Sequence, residues 1–285
     1  YPNFVPLQTM YFIYNILILI VAFSLKIVAF LNKKINLFVE GRSLTFSKLT
    51  AAISKEDMVI WMHCASLGEF EQGRPIIEKL KVQYPTYKLV ITFFSPSGYE
   101  IRKNYEVADV VCYLPLDSKK NAKQFLTVVH PELAIFVKYE FWPNLLKELQ
   151  NKKIKTILVS GIFRKDQVFF KWYGGWMRKS LTAFSHFFVQ DKNSKELLES
   201  IHFQNITLSG DTRFDRVFEI TKQNNTLDFI AEFKSNSYTL VAGSTWKEDE
   251  DLLVEYINNK ASENEKFIIA PHNIKAKEIE ELKAM

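Results

Sequence analysis

Near its start the chain carries an almost unbroken apolar run, YFIYNILILIVAFSLKIVAF, over residues 11–30, interrupted only by Asn15, Ser24 and Lys26. As a helix, about 20 residues cover roughly 30 Å, the thickness of a bilayer hydrocarbon core. The pattern predicts a membrane anchor helix over residues 10–34. Tyr11 and Tyr14 suit one interface, and Lys26 can snorkel near the other end. Lys33, Lys34 and Arg42 follow, which by the positive-inside rule puts the remainder of the chain in the cytoplasm. A cleaved signal peptide fits poorly, because no basic segment precedes the run and no small-residue cleavage site follows it. A buried apolar helix and a helix lying in the interface are the alternatives. Met10 is a candidate natural start, with residues 1–9 as upstream or vector-derived sequence.

From residue 58 onward, apolar runs alternate with amphipathic segments. MVIWMHCA, KLVITFFS, DVVCYLP, ELAIFVKYE, KTILVSG, AFSHFFVQD and NITLSGD read as strands. GRPIIEKLKVQYP, SGYEIRKNYE, SKKNAKQFLTVVHP, FWPNLLKELQNKK and NSKELLESIHF read as helices between them. Such alternation with short turns implies a doubly wound parallel sheet, an α/β domain over residues 35–217. A polar stretch, TKQNNTLDFIAEFKSNS, follows as a linker. YTLVAGS, WKEDEDLLVEYINNK and KFIIAPH then open a second α/β unit. Residues 218–285 therefore read as a linker plus the start of a second domain, shorter than the usual ~100 to 150 residues.

Composition adds three constraints. The 285 residues are 47% apolar and 14% aromatic, with 24 Phe, which supports a large core and excludes intrinsic disorder. The net charge of +5 suits an anionic substrate or an anionic lipid surface and is too small to point to nucleic acid. Cys64 and Cys112 lie in separate strand-like runs, with no CxxC, and the five histidines have no metal-ligand spacing. Both cysteines read as buried, reduced thiols, and no metal or other cofactor is expected.

In open α/β sheets ligands bind beyond the carboxyl ends of the strands. The polar residues there form the short list: Ser66, Gly68, Glu69, Ser95, Ser97, Gly98, Asp117, Glu140, Asn144, Ser160, Gly161, Arg164, Gln190, Asp191, Gly210, Asp211 and Arg213. In the second unit they are Gly243, Ser244, Thr245 and His272. No GxGxxG follows a strand, and neither GxxxxGK[ST] nor GxSxG occurs, which argues against a dinucleotide site, a P-loop NTPase and an elbow-type hydrolase. Acids, hydroxyls and a few arginines suit transfer onto a hydroxyl acceptor with a phosphate leaving group held by fixed donors.

HCASLGEFEQGRPIIEKL, TFFSPSGYE, YLPLDS, FVKYEFWPNLL, FVQDKNS and SGDTRFDRV occur in the order and near the spacing of one family. Together with the apolar segment followed by VEGR, they resemble the Kdo (3-deoxy-D-manno-octulosonic acid) transferases of lipopolysaccharide assembly, over residue 10 to about residue 275. The resemblance implies a GT-B fold of two Rossmann-like domains, the first on the acceptor side and the second binding the donor nucleotide. It implies a CMP-Kdo donor, a lipid A precursor as acceptor, and inverting transfer without a metal at the inner membrane. The S-x-G-E motif of the family matches Ser66, Gly68 and Glu69, and its catalytic acid falls on Glu69. E-x-E-x-W-P-N matches at Glu140, Trp142, Pro143 and Asn144, but its first acid is Lys138 here. G-x-x-K-F-D reads GDTRFD, with Arg213 keeping the charge. A usual R-H at a strand end reads Pro271 and His272, so a nucleotide-binding arginine is missing. Later glycine-rich donor motifs fall beyond Met285.

Each assignment has a plainer reading. Glu69 suits a general base for a sugar hydroxyl, or simply offsets a helix dipole; Glu71 suits only the second. Glu140 and Asn144 suit acceptor contact or site support, or capping of the helix opened by Pro143. Arg213 suits a phosphate or the sugar carboxylate, or a surface ion pair. Ser244 and Thr245 suit a phosphate cradle, or a helix cap in which Glu248 completes the box from Thr245. His272 suits nucleotide contact or a structural role. FFKWYGGWMRK, residues 169–179, suits an interfacial patch or a core helix broken at Gly174 and Gly175. Two further functional readings stay open: a GT-B transferase using a UDP-sugar on a lipid acceptor, and a membrane-tethered ligand-binding module.

Overall fold

The computed structural model describes residues 7–285, which divide into one compact unit ending at Ile220 and a second spanning Thr221–Met285. The first opens with three helices, α1 (Leu7–Ala29), α2 (Lys33–Ser43) and α3 (Thr45–Ala52). Then β1 (Val59–Cys64), α4 (Leu67–Gln83), β2 (Lys88–Phe93), α5 (Pro96–Arg102) and β3 (Val110–Tyr113) follow. Next come α6 (Lys119–Val128), β4 (Leu133–Val137), α7 (Pro143–Asn151) and β5 (Lys155–Gly161). A 3₁₀ turn (Val168–Phe170) and α8 (Gly175–Leu181) lead to β6 (His186–Val189), α9 (Lys192–Ser200), β7 (Ile206–Leu208) and α10 (Thr212–Thr221).

The seven strands form one parallel sheet in the order β3-β2-β1-β4-β5-β6-β7. From β1 the chain steps outward to β3. Helix α6 then returns it to the other side of β1, and it steps outward again through β4 to β7. The direction of winding reverses between β1 and β4, and ligands of such sheets bind at that switch point.

Strands buried on both faces explain the continuous apolar runs. Every residue of β1 is buried, and its side chains alternate between two cores. Val59 and Trp61 join Phe125 and Phe136 on one face, while Ile60, Met62 and Cys64 join Phe70 and Ile91 on the other. Helix α4 lies tight over the switch point because Gly73 lacks a side chain. A Cβ there would meet Met62 Sδ at 2.6 Å and Val137 Cγ2 at 3.1 Å.

Several boundaries differ from the pattern-based reading. Helix α4 begins at Leu67, well before GRP, so Pro75 is interior to it. Helices α2 and α3 carry no clean apolar period, and the pattern does not predict them. The 169–179 stretch does break at Gly174 and Gly175, where α8 starts, but it is neither all core nor a uniform surface patch: Phe169 is buried, and Trp172 and Tyr173 are exposed. Arg42, expected as an interfacial cation, is instead enclosed by rings. Its guanidinium lies 3.4 Å from the Phe38 ring centroid, and Nη2 donates to the Phe94 carbonyl at 2.7 Å. Burial pulls its pKa down to about 9, with Tyr113 opposing.

Helix α1 is long and apolar enough to cross a membrane by length and composition. One stripe of it, Tyr11, Tyr14, Ile18, Ala22, Leu25 and Ala29, is half-buried or buried at helical spacing along nearly its whole length. Tyr11 and Tyr14, expected at a bilayer interface, face Trp176 of α8 at ring-centroid distances of 5.8 Å.

The second unit contains α11 (Asp228–Lys234), β8 (Tyr238–Thr245), α12 (Lys247–Asn259), β9 (Glu265–Pro271) and α13 (Ala276–Ala284). Strands β8 and β9 pair in parallel. Helix α11 occupies the stretch read as a linker; its seven residues are too short for a clear period.

Candidate active site

Three groups meet at the carboxyl ends of β1 and β4. The first is the opening turn of α4. Ser66 is extended (φ −139°, ψ 173°) and makes no side-chain cap bond. Glu69 instead reaches back across the turn, and its Oε2 accepts the Ala65 backbone N–H. Glu69 is 4% exposed. Burial pushes its carboxyl up, and the nearby Glu140 charge pushes it further. The Ala65 N–H, the Lys138 ammonium and the Ser66 N–H pull the other way, leaving it at about 7. Burial and the Glu140 charge thus outweigh the groups that favour the anion. Glu71 is engaged elsewhere, in ion pairs with Arg102 at 2.7 Å and Arg74 at 3.8 Å.

The second group is the turn after β4. Lys138 sits at φ 73°, the left-handed region that a non-glycine residue adopts at an energetic penalty, and such strain clusters at functional sites. Glu140 is buried, and its Oε2 accepts from Trp142 Nε1 at 3.0 Å. It does not cap α7. That role belongs to Asp117, whose Oδ2 and Oδ1 accept from Asn144 N at 2.9 Å and Leu145 N at 2.8 Å. Glu140 is thus not consumed by capping.

The third is His63, fully buried on β1. Its Nδ1 lies 2.9 Å from Thr92 Oγ1 and 3.1 Å from the Thr92 carbonyl. Nε2 faces Glu140 Oε2 at 3.4 Å and Trp142 Nε1 at 3.3 Å. Trp61 Nε1 completes the support by donating to Thr92 Oγ1 at 2.8 Å. In the sequence His63 is weighed only for metal-ligand spacing and is passed over. The available signal was a lone imidazole inside an otherwise apolar strand, one residue from its carboxyl end.

Asn144 is buried, and its Nδ2 donates to the Asp117 carbonyl at 2.6 Å and to Asn15 Oδ1 at 3.1 Å. It supports the turn from behind. Asp117 also accepts from Tyr14 Oη at 2.8 Å. Burial pushes Asp117 up to about 7, against the Asn144 N–H, Tyr14 hydroxyl and Leu145 N–H. Gly68 is exposed, and a Cβ there would meet nothing within 4 Å. The space beside Glu69 is therefore open to a ligand.

Along the same sheet edge, Ser160 (φ 51°, buried) shares a 2.8 Å hydrogen bond with Thr212, which donates to the Gln72 carbonyl at 2.6 Å. Gln72 Nε2 donates to Asp211 Oδ1 at 3.1 Å. Arg213 is paired with Asp211, Nε to Oδ2 at 2.8 Å, with its side chain 60% exposed. Burial raises Asp211, but the Arg213 guanidinium and backbone N–H outweigh it and hold the carboxyl at about 2.

In the second unit Ser244 has φ 59°, and its hydroxyl is 2.8 Å from His272 Nδ1. His272 stacks on Trp246 with centroids 4.4 Å apart. The capping box read from Thr245 to Glu248 is not the one formed. The N-cap is Trp246, whose N–H donates to Asp249 Oδ2 at 2.9 Å, while Thr245 Oγ1 donates to Glu250 at 3.0 Å. Thr245 is 6% exposed and so engaged; Ser244 and His272 are exposed. Among the described residues no group of three or more His, Cys, Asp or Glu has the arrangement of a metal site.

Residues 41–216 match the family described as 3-deoxy-D-manno-octulosonic-acid transferase (kdotransferase). The chain is similar to a 3-deoxy-D-manno-octulosonic acid transferase of Rickettsia felis, 28% identical over 226 residues, 75% of this chain and 46% of that protein. It is also similar to a bifunctional glycosyltransferase/methyltransferase of Fusobacterium nucleatum, 25% identical over 253 residues, 86% of this chain and 38% of that protein. The chain spans about half the length, or less, of these relatives. Among solved structures it resembles a UDP-N-acetylglucosamine 2-epimerase of Neisseria meningitidis (TM-score 0.56, 15% identity, 80% of this chain and 69% of that one). A second, from Listeria monocytogenes, gives a TM-score of 0.56 at 12% identity over 80% of this chain and 66% of that one. These likenesses establish the GT-B-type α/β fold.

Proposed function

The chain belongs to the 3-deoxy-D-manno-octulosonic-acid transferase family, and from that premise we propose that it carries the base-bearing, acceptor-side machinery of an inverting Kdo transfer. The donor is CMP-Kdo and the acceptor a lipid A precursor, at the cytoplasmic face of the inner membrane. One observation carries the reading. Glu69 is a buried carboxylate at the sheet's switch point, its carboxyl held at about 7, beside an open Gly68. A base of that strength is half ionised near neutral pH, and proton transfer is most efficient when the catalytic pKa lies near the working pH.

In this account Glu69 takes the proton of the acceptor hydroxyl. The hydroxyl oxygen attacks the anomeric carbon, a new C–O bond forms, and the bond to the phosphate of CMP breaks, the electron pair leaving with CMP. Attack opposite the leaving group inverts that carbon. Trp142 is a positioning residue that holds Glu140 at 3.0 Å, with His63 Nε2 beside the same oxygen at 3.4 Å. Lys138 supplies a positive charge where the motif has an acid, and its effect is to favour the ionised form of Glu69. In the second unit we assign Ser244 and His272 to the donor's phosphate, and in the first unit we assign Arg213 to an anionic group of the substrate. Arg213 is exposed beyond its pairing with Asp211, and Ser244 holds His272 in a fixed orientation. Thr245 supports its helix, and Asn144 supports the Glu140 turn.

The test is a transfer assay on the full-length protein with CMP-Kdo and a lipid A precursor, run beside the same acceptor with UDP-sugars. Kdo-dependent product formation is expected. Transfer from a UDP-sugar alone, or saturable donor binding without transfer, would overturn the reading.

A further inference from the structure

Helix α1 has the length of a membrane span, yet both of its ends rest on the same globular unit. At its start the Tyr11 hydroxyl is 3.3 Å from Ser180 Oγ, Tyr14 donates to Asp117 at 2.8 Å, and Asn15 accepts from Asn144 at 3.1 Å. Toward its end, Ala22, Leu25 and Lys26 line a cavity of about 300 Å³ together with Phe38 and Arg42 of α2 and Pro115 after β3. A helix crossing the bilayer would separate its two ends by roughly 30 Å of hydrocarbon. The unit it packs on bears charged side chains and cannot follow it there. Spanning would also strip Tyr14 and Asn15 of their partners and leave Asp117 buried with one donor fewer, a costly exchange.

The opposite face of α1 is apolar and open. Phe12, Leu17, Leu19, Ile20, Phe23 and Ile27 are between 52% and 68% exposed. Beyond the helix, Phe30 and Leu31 are 90% and 88% exposed and precede Lys33 and Lys34. At the other end, exposed Trp172 (71%) and Tyr173 (50%) lie just before α8, whose Trp176 packs on Tyr11 and Tyr14. An apolar strip edged by lysines, with Trp and Tyr at one end, matches the depth profile of a lipid interface better than it matches a protein partner.

We infer that α1 does not span the membrane but lies in the plane of the bilayer surface, its Tyr14–Asn15 face docked on Asp117 and Asn144 and its Phe12–Phe23 face sunk among lipid chains. The inference rests on the membrane attachment in the function proposed above and changes its form. It also gives the docking a consequence for the site. Asp117 and Asn144 brace the turn carrying Glu140, so the membrane-facing helix is joined to the site through two hydrogen-bonded side chains.

The test uses the full-length protein with a single reporter thiol at either of two exposed positions, Thr9→Cys before the docked stripe or Gln223→Cys in the second unit. Cys64 and Cys112 are buried, and any cysteine elsewhere in the full-length protein is first replaced by serine. In spheroplasts, a membrane-impermeant maleimide should leave both reporters unlabelled until the membrane is permeabilised. Labelling of Thr9→Cys in intact spheroplasts with Gln223→Cys protected would place the two ends on opposite sides and overturn the inference, leaving membrane attachment standing. Failure of the protein to sediment with vesicles of phosphatidylethanolamine and phosphatidylglycerol would overturn both. Cross-linking of two copies through a Phe23→Cys variant in place of sedimentation would assign the face to a second copy, and would likewise overturn it.

Discussion

Replacing Glu140 with glutamine removes a negative charge near Glu69 while keeping an acceptor for Trp142. Burial is the larger reason that the Glu69 carboxyl stands at about 7, and the Glu140 charge is the next. With a base at about 7, about one-tenth is ionised near pH 6 and about nine-tenths near pH 8. If kcat/KM follows the ionised base, it rises about tenfold across that interval. An ordinary carboxyl would give an essentially flat profile over the same range. Glu140→Gln moves the midpoint acidward, so the ratio between pH 8 and pH 6 falls below that of the wild type. It stays above one, because burial persists. The assay is Kdo transfer at subsaturating acceptor across the pH series, with the variant compared to wild type at each pH so that donor titration cancels. A flat wild-type profile, or a variant profile whose midpoint stays in place or moves to higher pH, would refute the electrostatic account of Glu69.

Three further outcomes follow from the same geometry. The folded-state carboxyl of Glu69 lies above its ordinary value, so the folded form binds more protons and stability falls as pH rises from about 4.5 to about 7, by up to ~3 kcal/mol. Glu69→Gln should therefore resist urea better than wild type at pH 8, with the difference closing below about pH 4.5. Asp117→Ala strips two backbone donors of α7 and the Tyr14 hydroxyl of their acceptor and should lose about 2 to 4 kcal/mol of stability in urea unfolding. Gly68→Ala meets no neighbour and gains up to ~1 kcal/mol of helix propensity, so it should fold as well as wild type yet turn over more slowly, because its methyl enters the space left for the acceptor.

The sheet was legible because its strands are buried on both faces, which turns each into a continuous apolar run such as VIWMHC. The switch point followed only from the pairing of β4 with β1, which no local pattern encodes. Glu69 was placed at the start of α4 by the strand–turn–helix pattern, while the bond by which it organises that turn, reaching back to Ala65, was not visible there. Glu69 itself was legible through the motif, whereas its raised pKa was not, since that depends on burial and on Glu140, which is distant in the chain. Asp117 was on the strand-end list without a role, because its partners Tyr14 and Asn144 come from distant elements. The length of α1 was plain from the sequence. Its docked stripe was hidden, because Ile18, Ala22 and Leu25 are as apolar as the residues facing away.

The most direct measurement is the rate of Kdo transfer from CMP-Kdo by the full-length Glu69→Gln protein against wild type, with donor binding and folding checked alongside. The account predicts a loss of roughly 10² to 10⁴-fold in turnover, with CMP-Kdo still bound and stability equal or greater. Turnover within a few-fold of wild type would contradict it and remove Glu69 from the role of base.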